Sequence, residues 1–382
     1  MKCIKRFALA AVAAATLGAG WAMAAEPIRI GAIISKTGAA SFLGEPQDIT
    51  LRHYVKKINE AGGVLGRPIE LIMYDDATDA NTARTFASRL VDSDKVVAAI
   101  GPSTTGITLA VAQVFEDARI PLVSLAAGIE IVEPPRAYVY KTPHTDRMVC
   151  RKQIADLKAH GFKRIAMING TDGAGKTLRN ECSIAAKANG ISIVVDETFN
   201  PTDSDMTPQL TKIKNRSGVD ALLVGGFGQA LAVVTRNYGQ LGMTVPLYQA
   251  HGAASSAFIK LAGSASDGVR VTSPLLVIAD KLPDSEPVKK VALDYTGTIR
   301  AITGGEASTF GGYAHDALML LVDAIKKANT ADPKAIRDAL ERTKGYVGVT
   351  GVFNMSKDDH LGIDDRSLYM VDIRNGGWVI AK

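Results

Sequence analysis

The sequence predicts an α/β protein built from two units in series. Predicted strands and helices alternate along the chain, and the strands are nearly continuous apolar runs, which is typical of parallel sheets covered by helices on both faces. The same alternation restarts after Thr142-Pro143. We therefore expect two similar α/β units, without a residue-level repeat between them.

The first unit occupies the N-terminal part of the chain. Its expected elements are strand 28–35, helix 45–61, strand 69–74, helix 81–91, strand 96–100, helix 106–117 and strand 120–124. The first helix should end at Gly62-Gly63, because paired glycines favour a turn, and Asp75-Asp76 should close the second strand.

The second unit repeats this order. Its expected elements are helix 147–160, strand 164–168, helix 175–189, strand 191–195, helix 207–214, strand 221–224, helix 228–241 and strand 246–248. The tail adds a strand at 269–276, helices at 286–303 and 312–328, a helix after Asp332-Pro333 and a hairpin-like end over 351–353, 367–371 and 378–380.

The tail is too short for a core of its own, so we expect it to complete the two units. This predicts a first lobe of residues 25–143 and about 275–358, and a second lobe of residues 144–274 and about 359–382. Two lobes joined by several strands form a hinge, and hinge closure around a ligand is a common motion.

Residues 1–24 have the features of a cleaved secretory signal peptide. A short basic start precedes an apolar run over 7–20, and Ala22-Met23-Ala24 provides a small-x-small cleavage site. The apolar run is too short for a membrane-spanning helix, which needs about 20 residues. We therefore expect export to a bacterial periplasm, away from the cytoplasmic pools of ATP and NAD.

The charge of the chain gives no sign of nucleic-acid binding. The formal net charge is +5, and loss of Lys2, Lys5 and Arg6 with the signal peptide lowers it to +2. The basic isoelectric point therefore overstates the basicity of the exported protein, and no nucleic-acid partner is expected.

Two cysteines, Cys150 and Cys182, remain after cleavage. In an oxidising compartment they could form a disulfide. They could equally be two small buried hydrophobic residues. The sequence gives no distance between them and leaves both readings open.

Residues 170–177 match the phosphate-binding loop pattern G-x-x-x-x-G-K-[ST], between a predicted strand and a predicted helix. Glycine-rich amides could cradle phosphates there, with Lys176 adding charge. A strand–helix turn at the mouth of an α/β lobe also needs glycines, however, and an exported protein does not meet ATP. We expect a cleft loop and not a nucleotide site.

Neither catalysis nor a bound metal or other cofactor is expected. The histidines are scattered without the spacing of metal ligands. No nucleophile is paired with a base, and adjacent acids such as Asp358-Asp359 are typical of solvated turns.

Several segments, taken together, resemble a known family. They are 30–38, 58–68 (Ile-Asn-Glu-Ala-Gly-Gly-Val-Leu-Gly-Arg-Pro), 74–76, 100–105 and 120–127. They resemble the periplasmic leucine/isoleucine/valine-binding proteins, the type I solute-binding proteins of ABC importers. Further segments are similar to a branch of that family associated with aromatic carboxylates, namely 43–46, 132–134, 140–143, 205–210, 248–252 and 308–312.

The resemblance implies two Rossmann-like lobes with parallel sheets, joined by a hinge of three crossover strands, and a ligand in the cleft between them. It places the ligand carboxylate on two first-lobe loops, Ser103-Thr104-Thr105 and Ala126-Ala127-Gly128. Hydroxyls and amides at a helix N-terminus suit an anion. Ordinary capping of the helix from residue 106 is the alternative for the first loop.

Two positions depart from the pattern of amino-acid binders. Gly128 stands where a hydroxyl residue usually helps to hold the ligand, and His251 stands where an acidic residue normally meets the ligand ammonium. Both changes remove contacts to a positive amine, which is costly to bury without an anionic partner. The resemblance therefore favours an aromatic acid, with His251 as a donor, although a structural histidine is the alternative.

Apolar contacts complete the expected site. Phe227 matches an aromatic residue that closes over the ligand from the second lobe, and Gly173 stands where amino-acid binders often carry Tyr, which leaves room for a bulkier ligand. An apolar wall is expected from Phe42, Leu43 and Phe310. Core packing is the alternative for these aromatic and aliphatic residues.

The function that this resemblance implies is the substrate-binding component of an ABC importer. The expected ligand is a small carboxylate, favoured to be aromatic, and the expected partners are the permease subunits in the inner membrane, with a monomeric binding protein. Two alternatives stay open: a binding protein for an aliphatic amino acid, and a periplasmic sensor for a membrane receptor.

Overall fold

The structure, a computed structural model, describes residues 26–381. The predicted signal peptide lies outside the described residues. Within the described part of the chain, no helix combines the length and the apolar character needed to cross a membrane.

The described part of the chain contains fourteen strands and eleven α-helices. The strands are β1 Ile28–Ile34, β2 Ile69–Asp75, β3 Ala98–Ile100, β4 Leu122–Ser124, β5 Val139–Lys141, β6 Arg164–Gly170, β7 Ser192–Phe199, β8 Ala221–Gly225, β9 Leu247–Gln249, β10 Arg270–Pro274, β11 Tyr346–Val347, β12 Val352–Phe353, β13 Leu368–Arg374 and β14 Gly377–Ile380. The helices are α1 Ser41–Glu60, α2 Ala80–Asp92, α3 Thr105–Ala118, α4 Asp146–Ala159, α5 Gly173–Ala188, α6 Thr207–Lys214, α7 Gln229–Gln240, α8 Ser256–Ala262, α9 Pro287–Thr303, α10 Thr309–Ala328 and α11 Pro333–Glu341.

Two sheets form the centres of two lobes. The first has the strand order β2-β1-β3-β4-β5 and is entirely parallel. The second has the order β14-β13-β10-β9-β8-β6-β7, in which β13 and β14 are antiparallel additions at one edge. The apolar strands are buried between helices, as their composition predicts. The predicted α/β class with parallel sheets in two lobes is confirmed.

The chain passes between the two sheets three times. It leaves the first sheet after β5, returns after β10, and crosses again before β13. Helix α10 packs on α1, and the Tyr295 hydroxyl of α9 hydrogen-bonds the Thr50 hydroxyl of α1 at 2.9 Å. The tail therefore contributes helices to the first lobe and strands to the second.

Some predicted boundaries are wrong. Helix α1 begins at Ser41 and not at 45, although Pro46, which has no N–H to donate, lies in its second turn. The strand predicted at 269–276 ends at Pro274 and continues as 3₁₀ turns. The short elements β5 and α8 were not predicted, because runs of three or seven residues carry little periodicity.

Cys150 of α4 and Cys182 of α5 form a disulfide. The pairing left open by the sequence is thus present. It joins two helices of the second lobe and does not cross the cleft, so it stabilises that lobe without restricting the hinge.

Candidate ligand-binding site

A cleft between the lobes lies outside the carboxyl ends of the parallel strands, where open α/β sheets generally bind ligands. Its cavity is narrow, with a volume of about 40 Å³. The predicted site residues that line it are Leu43, Ser103, Thr104, Thr105, Ala126, Ala127, Phe227, His251 and Phe310. The topology thus brings together chain segments that are up to about 270 residues apart, as the crossover pattern requires.

Three other predicted residues are placed differently. Phe42 faces a second cavity and packs edge-on against Phe310. Gly128 lies behind the cleft, with its N–H donating to Thr105 Oγ1 at 3.1 Å. Gly173 sits against Gly106 of the first lobe, where a Cβ would come within 2.8 Å of the Gly106 nitrogen. Its missing side chain therefore allows close approach of the lobes and leaves no room for ligand there.

The hydroxyl groups of the first-lobe loop 103–105 differ in whether they are hydrogen-bonded within the protein. Ser103 Oγ accepts the Ser35 N–H at 3.0 Å and donates to Gln47 Oε1 at 2.6 Å, so its hydroxyl already serves the fold. Thr104 precedes α3 but makes no side-chain capping bond. The Thr104 hydroxyl and the N-terminal amides of α3 therefore remain the groups best suited to an anion.

The other first-lobe loop, 126–128, is also largely hydrogen-bonded to protein groups. The Ala126 N–H donates to Ser124 Oγ at 3.2 Å, and the Gly128 N–H donates to Thr105. Lys141, fully buried at the end of β5, donates from Nζ to the Ala127 and Gly128 carbonyl oxygens. Two of the three amides expected to hold a carboxylate are thus occupied by protein oxygens.

Asp146 is a cleft residue that the sequence reasoning missed. It is the first residue of α4, fully buried, and both carboxylate oxygens lack a hydrogen-bond partner among the described residues. Thr145 provides the helix cap by accepting the Met148 N–H at 3.2 Å, so Asp146 is not needed for capping. Burial raises the pKa of Asp146 well above its ordinary range, and the nearby Lys141 ammonium opposes this shift.

Two further polar groups converge with Asp146. His251 Nδ1 and the Tyr313 hydroxyl are buried, line the cleft and have no hydrogen-bond partner within the described chain. Burial lowers the pKa of His251 to about 3, helped by the charge of Lys141, so the ring is neutral. Burial also raises the pKa of Tyr313. We call Asp146, His251 and Tyr313 the inner group.

The inner group is unusual because buried polar atoms in proteins are almost always hydrogen-bonded. Three unpartnered groups around one cavity supply a carboxyl group, a neutral imidazole and a hydroxyl. Such an arrangement is suited to a ligand with a donor-rich polar head, held next to the apolar side chains of Leu43, Phe227 and Phe310.

The phosphate-loop pattern does not form a phosphate site. Helix α5 begins at Gly173, so Lys176 and Thr177 belong to the helix. The Asp172 carboxylate accepts the Ala174 and Gly175 amides at 2.8 and 3.1 Å, and thereby occupies the donors that a phosphate would need. The loop is a turn at the cleft edge, as expected. Across the described residues, no group of three or more His, Cys, Asp or Glu side chains is arranged to hold a metal ion.

The two lobes, the three crossings and the cleft define the class of bilobal solute-binding proteins. A sequence profile described as "Periplasmic binding protein" matches residues 27–377. The chain belongs to this family, which confirms the family resemblance of the sequence. The aromatic-carboxylate branch stays a prediction.

Named relatives agree with this assignment. The leucine-, isoleucine-, valine-, threonine- and alanine-binding protein of Pseudomonas aeruginosa is 26% identical over 361 residues, covering 94% of this chain and 90% of that protein. The Leu/Ile/Val-binding protein BraC3 of Rhizobium johnstonii is 28% identical, covering 91% of this chain and 92% of that protein.

Solved structures are similar over nearly the whole described chain. An extracellular ligand-binding receptor from Rhodopseudomonas palustris HaA2 superposes with a TM-score of 0.87 at 31% identity, covering 94% of this chain and 100% of that chain. The branched-chain amino acid transporter substrate-binding protein LivJ from Streptococcus pneumoniae, in complex with isoleucine, gives 0.83 at 25% identity, covering 94% and 99%.

Proposed function

We propose that the protein is the periplasmic substrate-binding component of an ABC importer and that it carries an α-amino acid with an apolar side chain. The observation that carries this proposal is the buried, unpartnered carboxylate of Asp146. A buried charge is costly unless it is paired. A ligand ammonium would supply that pair.

This proposal replaces the favoured aromatic acid with the aliphatic amino-acid alternative. The sequence argument against an amine rested on two missing contacts, the hydroxyl replaced by Gly128 and the acid replaced by His251. Asp146 supplies a carboxylate to the same cleft from the start of α4 and so provides the missing acid. The names of the relatives support the change, since they are binding proteins for leucine, isoleucine and valine.

The cleft then offers one partner for each part of an amino acid. The ligand carboxylate would accept from the Thr104 hydroxyl and the first amides of α3, where the helix dipole favours an anion. The ammonium would lie at Asp146, and the side chain would pack among Leu43, Phe227 and Phe310. The permease subunits of the importer would receive the ligand from this closed form.

The aromatic carboxylate remains a second candidate because of one observation. Burial raises the pKa of Asp146, and a protonated carboxyl group can donate to a ligand carboxylate. The rings of Phe227 and Phe310 and the neutral His251 would also suit an aromatic acid.

Matched ligand pairs distinguish the two candidates. The exported chain, unfolded and refolded to remove carried-over ligand, would be titrated by calorimetry with leucine against 4-methylpentanoate and with phenylalanine against 3-phenylpropanoate. Each pair differs only in the amine. We expect the amine to tighten binding at least about 30-fold, because removing one partner of a buried charge pair costs 2–5 kcal/mol or more.

Equal or tighter binding of the acids without an amine would overturn the amino-acid proposal and favour the aromatic carboxylate. A panel of benzoate, cinnamate and phenylpyruvate would then identify the acid. Absence of binding by every member of both series would exclude both candidates.

A further inference from the structure

A second cavity lies between the lobes on the far side of the apolar wall. It has a volume of about 240 Å³, larger than the 40 Å³ of the cleft. Residues from α1 and α9 of the first lobe form one side, and residues 255–257 of the second lobe form the other. Like the cleft, this cavity therefore depends on how the lobes close.

Two phenylalanine rings lie where the cavities meet. Phe310, in the first turn of α10, lines the cleft, and Phe42, in the first turn of α1, lines the second cavity. The rings pack edge to face, with centroids 5.5 Å apart and an interplanar angle of 64°. The next residue, Leu43, lines the cleft. Consecutive residues of α1 thus face different cavities.

The second cavity has a mixed lining. Phe42, Pro46, Ile49 and Ile299 contribute hydrocarbon surface, whereas the polar lining residues are serines, threonines, Tyr295 and two exposed glutamates. The buried Thr50 and Tyr295 hydroxyls hydrogen-bond each other. No buried charge or metal-binding cluster among the described residues points to a polar ligand there. Its chemistry fits an unbranched hydrocarbon chain.

We propose that Phe42 is the residue that limits the length of the ligand side chain, and that the cavity behind it is an extension subsite for a straight alkyl chain. This inference rests on the proposed amino-acid function. With the Phe42 ring in place, the apolar end of the ligand stops at the Phe42–Phe310 pair. Without the Phe42 ring, Phe310 loses its edge-to-face partner and can turn toward the second cavity, which joins that cavity to the cleft.

The choice of Phe42 over Phe310 follows from burial. Phe310 is 6% exposed and belongs to the core of α10, whereas Phe42 is only partly buried and packs at the edge of that core. Removing the Phe42 ring opens the wall with less loss of packing. Phe310→Ala opens the same wall from the cleft side and serves as an independent second variant.

The test is a series of unbranched 2-amino acids with four to ten carbons, titrated into the wild type, Phe42→Ala and Phe310→Ala. For the wild type we expect affinity to rise with chain length and then to fall sharply. For both variants the rise should continue through longer chains, by about fourfold for each added methylene that is buried. Ile299→Ala is the matched control, since it enlarges the second cavity but leaves the wall intact.

If the affinity of the variants falls at the same ligand chain length as the affinity of the wild type, the proposal is overturned. An Ile299→Ala protein that accepts the longer chains as well as Phe42→Ala does would also overturn it, because the wall would then not be the limit. If none of these proteins binds any 2-amino acid, the proposed function fails first. The same length comparison with straight-chain alkanoates then decides whether Phe42 sets the limit.

Discussion

Two sets of polar groups around the cleft differ in how they are used. In the loops 103–105 and 126–128, Ser103 and Thr105 are hydrogen-bonded to other parts of the protein, and so are two amides of the second loop. In the inner group, by contrast, Asp146, His251 and Tyr313 all keep buried polar atoms without a partner in the described chain.

This difference separates groups that hold the fold from groups that await a ligand. A buried polar atom that is already paired gains little from a ligand, whereas an unpaired one carries a desolvation cost that a ligand can remove. Thr104 is the exception within these two loops, since its side chain makes no capping bond. The unpaired atoms, more than the presence of hydroxyl residues in a motif, therefore indicate where a ligand binds.

The comparison is tested most strongly at Asp146. We expect Asp146→Asn to weaken amino-acid binding by about 2–5 kcal/mol, because the ligand ammonium loses its buried charged partner. Thermal stability is expected to fall as well, because the fully buried Lys141 ammonium loses the nearby Asp146 carboxylate. Calorimetric titration and a melting curve give the two readouts. Glu130→Gln is the matched control, because Glu130 lies near Lys141 and Asp146 but does not line the cleft.

The pH dependence of binding has a definite sign. Burial raises the pKa of Asp146 above its ordinary value of 3.8. At a pH between 3.8 and the raised pKa, the Asp146 carboxyl group of the ligand-free protein therefore holds a proton. An ammonium ligand requires the carboxylate, so binding should release a proton and become tighter as the pH rises through this window. Calorimetry in buffers of different ionisation enthalpy measures the release. Wild-type affinity that is independent of pH, or proton release that persists in Asp146→Asn, would contradict the assignment.

The adjacent hydroxyls of Ser103 and Thr104 give a sharper test of the comparison, because only the Ser103 hydroxyl is hydrogen-bonded within the described part of the protein. Ser103→Ala should lower the free energy of unfolding by about 1–3 kcal/mol, because it leaves a buried amide and a buried side-chain oxygen unpaired, with little change in affinity. Thr104→Val should do the reverse, costing about 1 kcal/mol of affinity and little stability. Urea unfolding and titration of both variants separate these effects. The distinction fails if the two variants lose affinity equally.

Much of the fold could be predicted because local patterns determine it. Apolar runs of four or five residues identify β1, β2, β6 and β8, and the loop at Ser103 was correctly placed between a strand and a helix. The turn after Gly170 was also expected at the cleft, and Asp172 explains why it does not hold phosphate.

The inner group could not be predicted because it depends on distant parts of the chain. Asp146 stands one residue before the predicted helix 147–160, where an acid is typical of an ordinary helix start. Tyr313 comes from α10, more than 160 residues further along the chain. Its place in the sequence predicts only that it lies on the apolar face of a helix. Whether a polar atom finds a partner is decided by tertiary packing, and no local pattern reports it. Thr145, a capping residue directly before Asp146, was the one local sign that the acid was free for another role.

The smallest expected effect concerns the closure of the cleft. Arg147 of α4 donates to Glu133 of the first lobe at 2.6 Å and to Glu181 of α5 at 2.8 Å. Glu181 lies in the same lobe as Arg147, so only the contact with Glu133 depends on closure. The Glu133 side chain is 52% exposed, and exposed ion pairs contribute 0–1 kcal/mol.

Glu133→Gln should therefore weaken ligand binding only about twofold, mainly through faster dissociation, since the ligand is held by the closed form. High salt should remove the difference between the variant and the wild type, because it screens exposed charges. Glu181→Gln is the control: its side chain is 5% exposed, so it should lower stability more than affinity. A tenfold or larger loss of affinity in Glu133→Gln would mean that contacts between the lobes, and not the inner group, supply much of the free energy of ligand binding.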